Sequence, residues 1–228
     1  MTALETILIG THIAAGAAVL ASGPMAMLTQ KVGNGHRKAG LFYFWGMFTI
    51  FASAMLLLTL VRFNLFLLVI GIFSFYLSFS GYRVLKRKLP NQANWLDWGG
   101  ALLSIVAGIG LFVVGLKLIP GMGGSVHLAL PMLCMLFGFF TFDSARKDVV
   151  FFLTKDFDDK IWWKYHHMQA MIGSYIAAVT AFIVQIGGHL APTWDYQWVL
   201  WLLPAAILSP IMGRWIKKEK AKDELVLN

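Results

Sequence analysis

Hydrophobic residues along this chain come in long runs separated by short polar connections. Seven of the runs read as membrane-spanning helices, about 20 residues at roughly 1.5 Å each being enough to span the hydrocarbon core, with edges placed to within a few residues. The pattern predicts spans over about Leu4 to Thr29, Leu41 to Leu60, Asn64 to Tyr82, Trp95 to Leu118, Met122 to Phe142, Lys160 to His189 and Trp198 to Met212. Pro90 and Pro120-Gly121 stop helices, and Pro131 is expected to kink or loosen the fifth span. The sixth span is the most telling. An aromatic and basic run, Lys160 to Tyr165, leads into His166 and His167, and no formal charge follows from Met168 to Gly188. Its small residues fall at helical spacing, Ala170, Ser174 and Ala178 on one face with Gly173, Ala177 and Ala181 beside it, which suits close helix packing in lipid. Similar rows in spans one and four put spans one, four and six at the bundle centre, with the bulkier two, three and seven toward lipid.

The placement of charge sets the topology. Of 19 Lys and Arg residues, 17 fall on one set of alternate connections and in the tail, leaving only Arg62 and Lys117 toward the other side. The positive-inside rule then gives an external N-terminus and a cytoplasmic C-terminus, which an odd number of spans requires. Residues 1–213 form one transmembrane domain, 143–160 a long polar loop, and 214–228 a charged cytoplasmic tail expected to fray. The composition agrees: 58% of residues are hydrophobic and 13% charged, against about 25% charged in soluble domains. The net charge of +8 sits in topology clusters, so the partner is the lipid bilayer and no nucleic acid. Cys134, the one cysteine, lies in an apolar run and reads as a small buried residue. The first run has no basic leader and is long enough to stay as a span, so no cleaved signal is expected.

The candidate chemistry lies in six histidines, which fall into two layers. His12, His127 and His189 lie toward the outside, and His36, His166 and His167 toward the cytoplasm. Facing histidines in two leaflets are how b-type haems are held, each iron taking one imidazole nitrogen from either side. On this reading His12 and His127 ligate an outer haem iron, and His36 with His166 or His167 an inner one. The protein is then a transmembrane redox module passing electrons to a membrane redox partner or a quinone. Tyr43, Trp45 and Trp163 would pack on a porphyrin, and Arg37 and Arg83 would pair with its propionates.

Three other readings stand beside it. In the first the protein is a non-enzymatic membrane component without cofactor: His36 sits in a turn, His166 and His167 are interfacial, His189 caps a helix, and His12 and His127 bond to neighbouring helices. In the second, broken helices at Pro24, Pro131 and Pro204 line a small-solute transporter, although the mid-membrane zone has almost no acid to couple protons. In the third, histidines with Asp143 hold a zinc ion in a metal-dependent hydrolase, although no compact ligand motif is present. Asp143 with Arg146, or with Arg83, reads most simply as an ion pair. A faint repeat pairs spans one to three with spans five to seven, each half carrying an outer histidine, a basic loop and an inner histidine.

At His36-Arg37-Lys38-Ala39-Gly40-Leu41-Phe42-Tyr43, and again from His166 through the run Gly173 to Phe182, the chain resembles a family of uncharacterised bacterial multi-pass membrane proteins. The likeness covers most of the chain. It implies an all-α polytopic bundle in the bacterial inner membrane and implies no reaction. The two histidine layers are similar to those of two-haem transmembrane b-type cytochromes.

Overall fold

The computed structural model describes residues 2–29, 33–119, 128–155, 157–190 and 193–227, with residues 226 and 227 described by backbone alone. These residues form seven α-helices and no strand: α1 (Ala3–Leu28), α2 (Asn34–Leu60), α3 (Leu65–Arg83), α4 (Trp95–Leu118), α5 (Ala129–Leu153), α6 (Trp162–Leu190) and α7 (Val199–Leu227). Six of them are long and apolar enough to cross a membrane. The exception is α5, whose second half carries Asp143, Arg146, Lys147 and Asp148. Large apolar side chains stand exposed around the bundle, among them Ile13, Phe42, Trp45, Val106 and Met132. A water-facing surface rarely carries so much contiguous apolar area, whereas lipid requires it.

Local sequence explains where several helices begin. Thr2 and Glu5 form a capping box on α1, Asn64 caps α3, and Asn94 with Asp97 forms a capping box on α4. Pro131 is the third residue of α5, in the first turn, where a missing N–H breaks no helical bond. It therefore starts the helix instead of kinking it. The expected beginning of this span at Met122 lies outside the described residues.

Other boundaries differ from the sequence expectation. Helix α2 begins at Asn34, so His36 stands in its first turn and not in a preceding loop. Helix α5 continues past Phe142 to Leu153, which turns most of the expected polar loop into helix. Helix α7 runs on through the charged tail to Leu227. The tail does not fray there because Ile216 buries against Tyr165 and Met168, while Asp223 accepts from Lys164 Nζ at 2.6 Å and from Tyr165 Oη at 2.6 Å.

The centre belongs to α3, which packs against α2, α4, α5 and α6; α1 packs mainly against α2 and α6 among the described residues and is the least buried of the membrane-length helices. This overturns the expected places of spans one and three, while α6, packed against α1, α3 and α7, lies where expected. The Phe-rich helix buries Tyr76 and Ser80 on one side and Ser78 and Gly81 on the other, and a side chain added at Gly81 would meet Ala170 and Met171 of α6 at 3.0 Å. The expectation for α4 fares better. Gly108 lies against the Gly138 carbonyl and Phe142 backbone of α5, and Gly138 lies reciprocally against α4. The backbones of α1 and α2 approach closely, whereas α5 and α6 meet through side chains, Phe151 with Trp162 and Asp148 with His166, so the halves of the faint repeat do not fold alike. The wider backbone spacing of α5 and α6, bridged by α3, positions the site.

A candidate buried charge site between α3, α5 and α6

Four ionised groups and a histidine converge at the basic end of the bundle. Helix α3 supplies Tyr76 and Ser80 one turn apart, then Arg83, and its exit turn supplies Arg87. These positions follow a helical stripe. Asp97 comes from the first turn of α4, Asp148 from the extended half of α5, and His166 from the first turns of α6. Arg87 and Asp148 are each 1% exposed, and Asp97 is 2% exposed. Charges so buried persist only when paired and hydrogen-bonded.

The pairing is nearly complete. Arg83 grips Asp97 with both Nε (2.9 Å) and Nη2 (2.7 Å), a bidentate geometry. Asp97 also accepts from the Asn94 backbone at 3.0 Å, so one carboxylate both caps α4 and ties it to α3. Arg87 lies between two acids, with Nε 3.2 Å from Asp97 Oδ1 and Nη2 3.1 Å from Asp148 Oδ2. Its guanidinium also covers the Phe152 ring, 4.7 Å from the centroid. Asp148 Oδ2 accepts from Tyr76 Oη at 2.7 Å and from Ser80 Oγ at 2.5 Å. Two arginines and two aspartates balance formally, leaving His166 as the group that sets the net charge.

His166 Nε2 lies 2.8 Å from Ser80 Oγ and 3.4 Å from Asp148 Oδ1. Asp148 Oδ1 is buried and makes no hydrogen bond among the described residues, and the same holds for Arg87 Nη1. The hydrogen inventory is tight. Ser80 has one proton, and both Asp148 and an unprotonated Nε2 would compete for it. A proton on Nε2 resolves the conflict, because Ser80 then donates to Asp148 and the imidazole donates toward Ser80 and Asp148. Nδ1 is then the atom at which His166 gains and loses charge. A cavity of about 190 Å³ opens here, lined by Tyr76, Ser80, Ser144, Lys147, Asp148, His166 and Gln169. Aromatic side chains close the site off: Trp162 lies 4.7 Å from the His166 ring and stacks on Phe151 at 3.8 Å.

Serine, histidine and aspartate meet here, but not as a nucleophilic triad. In a triad the serine and the acid occupy opposite ring nitrogens. Here both approach Nε2, and the Ser80 hydroxyl donates its proton to Asp148 Oδ2 at 2.5 Å, so the imidazole is not placed as its base.

The predicted histidines are placed as follows. His12 Nδ1 lies 3.0 Å from Ser53 Oγ of α2; that hydroxyl already donates to the Thr49 and Ile50 carbonyls, so the imidazole donates to it. His127, its predicted partner, lies outside the described residues. His36 and His167 come together, with ring centroids 6.2 Å apart at 76°. Each donates Nδ1–H to a backbone carbonyl, His36 to Ala26 at 2.8 Å and His167 to Gly81 at 2.7 Å. His166 faces the buried acids instead. His189 meets Gln185 on its own helix at 3.0 Å. Asp143, the acid of the zinc reading, is held by Arg146 at 2.8 Å and Lys147 at 2.6 Å, and Arg83 goes to Asp97. Among the described residues no three His, Cys, Asp or Glu side chains converge as metal ligands.

Sequence reasoning missed Arg87, Asp148 and Asp97 as buried groups, treating the first two as loop charges. A signal existed. Thr141, Ala145, Asp148 and Phe152 repeat at helical spacing, and the apolar run Val149 to Leu153 follows directly, both of which extend α5 past Phe142. Compared with protein-family models, curated proteins and solved structures, the chain matches none.

Proposed function

We propose that this chain is a seven-pass protein of the bacterial inner membrane that handles a small polar solute in a proton-dependent way through the Asp148–His166 cavity. The N-terminus is external and the basic end of the bundle, with its buried charges, faces the cytoplasm. The observation that carries this reading is Asp148 Oδ1: a buried carboxylate oxygen without a hydrogen bond, 3.4 Å from His166 Nε2, at a cavity wall. Ionisable groups enclosed within a membrane helix bundle often mark ion and proton sites. The sequence shows almost no acid in the mid-membrane zone; the buried acids Asp97 and Asp148 lie instead at the basic end of the bundle, in the first turn of α4 and the last turns of α5. The solute would offer a donor to Asp148, and a change of charge on His166 would alter its hold. An acid jump on purified protein in micelles, followed with a pH indicator, tests this. Wild type takes up more protons than Asp148→Asn or His166→Gln; equal uptake by all three counts against the reading.

The redox reading keeps one supporting observation. Two imidazoles on one haem iron, at roughly 2 Å per bond, bring ring centroids about 6 Å apart. The His36–His167 pair has that spacing, with both Nδ1 protons anchored on carbonyls as metal-binding histidines are. On this reading haem b lies between His36 and His167. Haem titration of the purified protein tests it: a b-type spectrum lost in both His36→Ala and His167→Ala supports it, and a spectrum retained in either removes it.

A further inference from the structure

A second cavity lies at the opposite end of the bundle, about 360 Å³ in volume. The helices α3, α5 and α6 that enclose the charge site also contribute here, with Phe66, Leu133 and Val184, and the α6–α7 connection and α7 add Asp195, Trp198 and Trp201. The volume falls within the range of small-molecule sites. Among the described residues its walls are mostly apolar and aromatic, with the Gln197 amide, one carboxylate and no Lys or Arg.

Tryptophans near a membrane surface often serve only as lipid anchors. Trp201 is turned inward instead: its ring meets Phe66 at 5.0 Å and Phe137 at 5.9 Å, both nearly edge-on. The indole is therefore held at the cavity wall by two neighbours. One carboxylate offers too few oxygens for a calcium or magnesium ion. A neutral apolar ligand would gain nothing from Asp195. Aromatic faces combined with a single acid suit a cation that is itself weakly hydrated and partly apolar.

We propose that this cavity binds a small organic ammonium ion, with Trp198 and Trp201 against its alkyl groups and Asp195 as the countercharge. The site stands on residues other than Asp148 and His166, so it holds or fails independently of the proton-dependent reading.

The test is a titration of the full-length protein in micelles with tetramethylammonium and with choline, read by tryptophan fluorescence. The neutral choline isostere 3,3-dimethyl-1-butanol serves as the uncharged comparison. Wild type is expected to show a saturable change with the cations and none with the alcohol. Asp195→Asn, an exposed substitution that leaves the core intact, should weaken apparent affinity by roughly tenfold. Trp201→Leu should remove most of the saturable signal, and Trp95→Phe, at the other end of the bundle, should leave affinity unchanged. No saturation with either cation, equal affinity in Asp195→Asn, or equal binding of the neutral alcohol would each overturn the proposal.

Discussion

At the residue scale the decisive groups are Arg87 and Asp148, whose opposite charges are buried within 3.1 Å of each other. Removing one partner of such a pair strands the other charge away from water, at about 3–5 kcal/mol, while removing both with shape kept costs much less. Arg87→Met and Asp148→Asn are therefore each expected to lower the unfolding midpoint in micelles sharply, and the double variant should recover most of the loss. Additive losses in that cycle would mean the pair is not coupled as the geometry requires. The same reasoning shows why the pair was hidden in the sequence. A lone Arg in Lys86-Arg87-Lys88 looks like its two exposed neighbours, and only the turn that brings it back over Phe152 distinguishes it. His166 and His167 were visible as candidates, but adjacency in sequence concealed that they face different neighbours, the buried acids and the Gly81 carbonyl.

At the element scale the bundle depends on close helix approach at specific glycines. Gly108 would place a new Cβ 2.7 Å from both the Gly138 oxygen and the Phe142 nitrogen, which are backbone atoms unable to yield. Gly108→Ala should therefore cost about 1–3 kcal/mol, as overpacked contacts do. Gly110, two residues on, would meet nothing within 4 Å, and Gly110→Ala should be neutral or stabilise by up to about 1 kcal/mol through helix propensity. Thermal unfolding of the two variants side by side checks the α4–α5 contact; equal effects would contradict it. The helices themselves were legible because lipid demands uninterrupted apolar runs: spans one, three and four match within a residue at both ends, and span two at its C-terminal end. The ends of α5 and α7 were not, because charged residues look like loop until a partner is known. Asp148 and Asp223 are helical since Arg87, Lys164 and Tyr165 receive them. Small-residue rows correctly pointed to α4, but they mislaid the centre: α3 reaches it with hydroxyls and Gly81, not with a continuous small stripe.

At the scale of the whole molecule, the basic residues gather at one end of the helices, and the buried charge site lies at that same end. In a Cys134→Ala background, Lys155→Cys between α5 and α6 should resist a membrane-impermeant thiol reagent in intact cells and react after lysis. Labelling before lysis would invert the topology. The account rests most on His166 as the group that changes charge beside the cavity lined by α3, α5 and α6. Nitrogen-15 NMR of the histidine-labelled protein between neutral and acid pH reads that group directly. The account predicts an imidazole signal that moves to the imidazolium position on acidification and is absent in His166→Gln. Identical changes in wild type and His166→Gln would contradict it.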